Sequence, residues 1–293
     1  MAALELRAVS APPLEQLTLA LEPGIHVVLG GQSDGASVLI QAAAGLSRLR
    51  RGRVTIRGSD PYRSPETRRR VGALTAVEPA PIGSRVKDVV ASALALRKSP
   101  ANGVEVLQRF QLEKWAGRRS ALLTNAERRS LAMVLALSLT EPLLLALYEP
   151  LVELAELDTD MVRQRLALAA QGGVCVLCTT ASLGDALKLG GKLTVLDRGR
   201  LYSASEGALL SSALRYFFVR TPEPRKLASA LSREPAVSAC EWDEVRAPGQ
   251  LRISGPDPDA VALAVARSSV VEGIVVRAWG LSLPQKAEPP VPP

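Results

Sequence analysis

"VVLGGQSDGASVLI", residues Val27 to Ile40, is the stretch whose reading decides the fold. The run IHVVLG reads as a buried strand that ends in glycine, and SVLIQAAAGLSRL continues as a helix, giving strand–loop–helix. Within the turn, Gly30, Gly31, Gln32, Ser33, Asp34 and Gly35 carry the G-x-x-x-x-G spacing of a loop whose backbone N–H groups cradle a phosphate. Ser37, followed by Val38, stands where such a loop places a magnesium-binding hydroxyl. Ala36 stands where a lysine would reach the β- and γ-phosphates. A plain strand-to-helix turn uses glycine too, so the stretch by itself leaves open a relic phosphate loop or an ordinary turn.

A chain of 293 residues, 47% hydrophobic and 22% charged, is globular material with room for more than one domain. The formal charge of +7 comes mainly from arginines scattered among acids, with aromatics at only 3%. Nucleic-acid binding wants a basic stripe with stacking platforms, so no nucleic-acid partner is expected; a basic surface facing an anionic membrane accounts for the charge at least as well. The longest apolar tract, Leu131 to Leu147, is interrupted at Thr140-Glu141-Pro142, short of the roughly 20 residues of a spanning helix. The start, MAALELRAVS, contains acid and no hydrophobic core, so no signal peptide is expected and the protein is placed in the cytoplasm. Cys175 and Cys178 fall in the strand-like run VCVLCTT, where alternation puts the thiols on opposite faces, and no second pair completes a zinc site.

Other elements follow from periodicity. GRVTIRG is a strand; Lys87 to Lys98 and Gly103 to Phe110 are helical; Thr124-x-x-Glu127 is a capping box opening a helix through Leu139. LLLALYE and GVCVLCTT are buried strands flanking the helix MVRQRLALAAQ, and KLTVLDRGRLY is a hairpin. Buried strands alternating with helices predict an α/β domain with a mainly parallel sheet over residues 1–204. Beyond that, RYFFVRT, a helix through Ala230, SACEWDEV, QLRISG, a helix from Asp257 to Ser268 and GIVVRAWGL predict a ferredoxin-like β-α-β-β-α-β domain over 205–283. The Pro-rich residues 284–293 are expected to be disordered.

The order and spacing of segments in residues 3–202 resemble the ATPase subunit of an ABC transporter. LTLALEPGIHVVLGG, RGRVTIRGSDPYRS, RRRVGAL, LLTNAERRSLAMVLAL, LLLALYEP and KLTVLDRGRLY fall where that family has recognisable segments. The ferredoxin-like piece resembles the extension of drug-, sodium- and gliding-type bacterial exporter ATPases, whose permeases are separate chains. The resemblance implies a P-loop NTPase-like domain with a mainly parallel sheet and a helical subdomain.

Carried over one at a time, most functional residues of that family are absent. The adenine-stacking aromatic is missing, since no aromatic precedes Tyr62. The loop lysine is Ala36, and Ala76 aligns with the glutamine that senses the γ-phosphate. The signature L-S-G-G-Q becomes Leu123, Thr124, Asn125, Ala126 and Glu127. Tyr148 replaces the Walker B aspartate, while the neighbouring catalytic glutamate survives as a vestigial Glu149. Ala155 aligns with the D-loop aspartate, and Ala181 replaces the switch histidine.

Phosphoryl transfer rests on positioning and charge neutralisation around an anionic group. With the loop cation and the metal-holding aspartate and glutamine gone, the resemblance implies a degenerate subunit that is not an enzyme and has no resident cofactor or metal, with ATP and Mg²⁺ bound at most weakly. The implied partners are a membrane permease and an active ABC ATPase chain or a second copy, as a homo- or heterodimer at the inner face of the membrane. The alternative is a scaffold or regulator of an envelope or motility assembly that keeps only the fold.

Overall fold

The computed structural model describes residues 2–77, 85–203, 216–242, 248–255 and 258–281. The chain divides into two compact units, Met1–Ser203 and Ala204–Pro293.

The first unit holds two sheets. The larger has six strands in the order β5-β6-β7-β3-β8-β9: β3 (Gly24–Leu29), β5 (Val71–Leu74), β6 (Leu144–Tyr148), β7 (Cys175–Thr180), β8 (Lys192–Asp197) and β9 (Arg200–Ser203). All pairings are parallel except β8 with β9, the expected hairpin. Every residue of β7 is buried, as a central strand covered on both faces requires. Burial pushes the thiols of Cys175 and Cys178 up to about 12, which makes them inert packing groups. The second sheet is three-stranded and antiparallel, β2-β1-β4, from β1 (Leu4–Ala11), β2 (Leu14–Leu21) and β4 (Arg51–Ile56). One core joins them: Leu4, Leu6, Leu17 and Ile56 pack with Leu39 and Ile40 of the helix α1 (Ala36–Ala43) and with Leu144 and Leu177 of the large sheet.

The helices are α2 (Pro65–Arg69), α3 (Val86–Leu96), α4 (Gly103–Arg109), α5 (Asn125–Leu137), α6 (Thr159–Gln171) and α7 (Leu183–Leu189). The helix α5 stops two residues before the expected Leu139, with Ser138 at its end. None of the described helices is long and apolar enough to cross a membrane.

In the second unit, β10 (Tyr216–Arg220), α8 (Pro224–Leu231), β11 (Ala239–Trp242), β12 (Gln250–Ser254), α9 (Pro258–Glu272) and β13 (Ala278–Leu281) follow in the order β-α-β-β-α-β. The antiparallel sheet β11-β12-β10-β13 is the ferredoxin-like arrangement. The helix α9 runs past the expected Ser268 to Glu272, and the Ser269 hydroxyl donates to the Val265 carbonyl one turn back, at 2.6 Å, so this polar side chain is satisfied within the helix. Gly273, at φ +65°, ends it, and buried Ile274 turns into the core, so the last strand is Ala278–Leu281 rather than all of GIVVRAWGL. The tail expected to be disordered, 284–293, lies outside the described residues.

Candidate functional site

The central strand β3 delivers Gly30 to the carboxyl end of the parallel sheet, where open α/β sheets place their ligands. Gly30 N–H donates to the Thr180 carbonyl at 2.9 Å, and a Cβ there would lie 2.6 Å from the Leu196 carbonyl oxygen. The loop then closes on itself. Gln32–Asp34 form one 3₁₀ turn, and Asp34, Gly35 and Ala36 N–H groups donate back to Gly31, Gln32 and Gly31 carbonyls at 3.1, 3.2 and 3.3 Å. Gly35 is left-handed at φ +98°, and Leu14 Cδ2 sits 2.7 Å from where its Cβ would be, so only glycine fits under the β1–β2 turn.

The Asp34 carboxylate turns back onto one amide of the loop and onto one outside it. Oδ2 accepts from Gly31 N–H at 2.9 Å and Oδ1 from Arg198 N–H at 3.3 Å, while the Asp34 carbonyl accepts from Gly199 N–H at 3.0 Å. The loop's own carboxylate thus takes hydrogen bonds of the kind a phosphate oxygen would take. Ala36, fully buried in the main core cluster, projects no charge toward the loop; Ser37 and Val38 are half-buried.

Glu149 is held by its neighbours. Its backbone is left-handed at φ +48°, its N–H donates to the Thr179 carbonyl at 2.8 Å, and its carboxylate accepts from Thr180 Oγ1 and Ala181 N–H, both at 2.8 Å. Both oxygens are therefore engaged at the end of β7, in the segment aligned with the switch. Tyr148 precedes it, half-buried, and burial raises its phenol above the ordinary range.

Sequence reasoning missed Arg129. Buried on α5, its guanidinium donates to four backbone carbonyls: Thr75 at 3.2 Å, Tyr148 at 2.5 Å, Glu149 at 2.8 Å and Val152 at 2.9 Å. It also lies 6.0 Å from the centroid of the Tyr148 ring. One cation thus ties the strand end before Ala76, the β6 end and the loop after it to α5. Ser130 adds a bond to the Ala155 carbonyl at 2.9 Å.

The segment Leu123–Glu127 is a capped helix start. Thr124 Oγ1 accepts from Glu127 N–H at 3.2 Å, and Glu127 Oε2 accepts from Thr124 N–H at 2.8 Å. Asn125 and Ala126 begin α5. Arg118 clasps Glu127 with two bonds, 2.7 and 3.3 Å, and lowers its carboxyl to about 2. The structure therefore links the glycine loop, the 180–181 segment, Tyr148, Glu149 and Thr75 through direct hydrogen bonds, and the segment Leu123–Glu127 reaches them along α5. Among the described residues no group of three His, Cys, Asp or Glu could hold a metal ion.

With this geometry in place, the chain compares as follows. It is 26% identical over 250 residues to the molybdate/tungstate import ATP-binding protein WtpC of Pyrococcus horikoshii, covering 83% of this chain and 70% of that protein. It is 30% identical over 205 residues to the daunorubicin resistance ATP-binding protein DrrA2 of Streptomyces coeruleorubidus, covering 68% and 63%. Among solved structures, an ATP-binding subunit of an ABC transporter superposes with a TM-score of 0.61 at 21% identity, over 70% of this chain and 91% of that one. The chain is a homologue of ABC-transporter ATP-binding subunits. A dimeric ATP-binding cassette with ADP and Pi bound in a post-hydrolysis state shares the fold, with a TM-score of 0.58 at 17% identity over 68% of this chain and 98% of that one. No family model matches the chain. It spans about two thirds of the length of the two relatives.

Proposed function

We propose that this ABC-cassette homologue is a non-catalytic nucleotide-binding-domain subunit of an ABC-type membrane export complex, a structural or regulatory partner at the inner face of the membrane. The observation that carries the reading is the Asp34 carboxylate on Gly31 N–H at 2.9 Å, with buried Ala36 at the lysine position. A nucleotide phosphate entering this loop displaces an anion already bonded there and meets no loop cation. Tyr148 and Ala76 offer no carboxylate or amide to a metal, so Mg-ATP does not fit the residues present. Glu149, with both oxygens engaged, serves to join β6 to β7.

The expected partners are a permease and a second cassette, as a homo- or heterodimer. The exporter-type extension that the second unit resembles supports the export assignment. The capping box and Arg118 clasp at Thr124–Glu127 favour the alternative, a scaffold that keeps only the fold, because they occupy the groups a signature would present to a partner's nucleotide.

Restoring one residue tests the reading. Ala36→Lys adds a cation worth about 2–4 kcal/mol at a preorganised phosphate. Because such groups act as a unit, we expect no hydrolysis from the single variant. ATPase activity in Ala36→Lys would overturn the proposal.

A further inference from the structure

Outside the cassette site, an unusual concentration of charge lies on the antiparallel sheet. RLRRGRVTIR, residues 48–57, carries five arginines, and no acid occurs between Asp34 and Asp60. Arg48, Arg50, Arg51, Arg53 and Arg57 are all exposed. Register places them together. On β4, Val54 and Ile56 point into the core, so Arg53 projects from the outer face, directly opposite Arg7 of β1. Arg51, beyond left-handed Gly52, is exposed and pairs with Ser10, which lies between buried Val9 and Ala11 of β1. Directly opposed like charges on neighbouring strands, with Cβ atoms about 5 Å apart, destabilise a sheet.

Little on this face neutralises them. Glu5 bonds Arg7 at 2.8 Å, and Glu15, at the start of β2, pairs with Arg200 at 3.3 Å. Gln16, Thr18 and Ala20 along β2 carry no charge. Among the described residues, Arg51 and Arg53 form no side-chain hydrogen bond or ion pair. The face also has no aromatic residue, since the first in the chain is Tyr62, so it offers no platform for stacked bases. It is an open sheet of guanidinium groups with small polar side chains between them. An extended anionic surface such as a layer of acidic lipid headgroups matches such an array, because each arginine near it adds to the attraction.

We propose that the outer face of the β2-β1-β4 sheet docks onto anionic phospholipid headgroups through Arg7, Arg51 and Arg53, with Arg50 and Arg57 at its margins. This contact goes beyond the pseudo-ATPase reading and does not depend on it, because it involves neither the glycine loop nor a nucleotide. It gives the chain its own affinity for the membrane without a permease.

The test is co-sedimentation of the full chain with phosphatidylcholine vesicles, with and without about one third phosphatidylglycerol. The wild type is expected to bind only the anionic vesicles and to release as salt rises through the physiological range. Each arginine near such a surface contributes about fivefold in affinity. Arg51→Gln with Arg53→Gln should therefore weaken binding about 25-fold, and Arg51→Glu with Arg53→Glu more, with thermal melts no lower than wild type, because both side chains are exposed and the change relieves the repulsion between Arg53 and Arg7. Arg233→Glu with Arg277→Glu, an equal change of net charge in the second unit, should bind like wild type. Equal binding to neutral vesicles, wild-type binding by the Arg51/Arg53 variants, or an equal loss in the Arg233/Arg277 variant would overturn the proposal. So would no vesicle binding alongside tight binding to duplex DNA. None of these results bears on ATP hydrolysis.

Discussion

Removing the Asp34 carboxylate examines the glycine loop directly. In Asp34→Ala, Gly31 N–H and Arg198 N–H lose their acceptor. A hydrogen bond to a charged group contributes about 1.5–3 kcal/mol when well formed. The bond to Gly31, at 2.9 Å, has good geometry, and that to Arg198, at 3.3 Å, is weaker. Asp34 is half-buried, so solvent recovers part of the loss, and the sum is about 2 kcal/mol. For a unit of this size, 1 kcal/mol shifts Tm by about 2–4 °C, so the variant should melt about 4–8 °C lower. Asp34→Asn keeps an acceptor oxygen without the charge and should lose about half as much. The assay is differential scanning calorimetry of the full chain, following the transition of the first unit. A freed cradle should also respond to anions: added phosphate should raise the Tm of Asp34→Ala more than that of wild type. If Asp34→Ala melts with wild type and phosphate stabilises both equally, the carboxylate does not occupy the loop and the reasoning fails.

Arg129→Met strips four backbone carbonyls of their donor, and chemical denaturation should show a loss of about 3–5 kcal/mol; Arg129→Lys should not rescue it, because an ammonium carries three N–H donors at one point and cannot reach four separate acceptors. For Glu127, the Arg118 clasp holds the folded carboxyl at about 2, below its unfolded value near 4.5. Its stabilisation is therefore complete above about pH 4.5 and is lost as pH falls toward 2. Thermal melts of Glu127→Gln against wild type should differ at pH 7 and converge across that window; a constant difference would refute the clasp.

Much of this architecture is legible in the residues. The strands β3, β6 and β7 are short apolar runs bounded by turn residues, and burial on both faces makes such runs conspicuous. The strands β1 and β2 are not, because irregular pairing between Leu6 and Val9 and left-handed Ala8 and Gln16 break the period-two alternation. The five-residue α2 and seven-residue α7 are too short for a helical period, and their starts are marked by the caps Ser64 and Ser182 and by Pro65 at the first position of α2. At the site, Ala36, Ala76, Tyr148 and Ala181 can be read from the residues alone, and it is their alignment with the family's segments that the proposed loss of function rests on. The bonds that hold the site cannot be read that way. The acceptors of Arg129 are backbone carbonyls, which every residue carries, and they lie 19 to 54 positions away along the chain. The bond from Thr180 to Glu149 spans 31 positions. Only the fold brings them together.

The most direct test of the central claim is calorimetric titration of the purified full chain with Mg-ATP, paired with a phosphate-release assay on the same preparation. With no loop cation and Asp34 seated on Gly31 N–H, we expect no binding at micromolar concentrations and no turnover above background. Micromolar affinity, with phosphate release that Glu149→Gln abolishes, would contradict it.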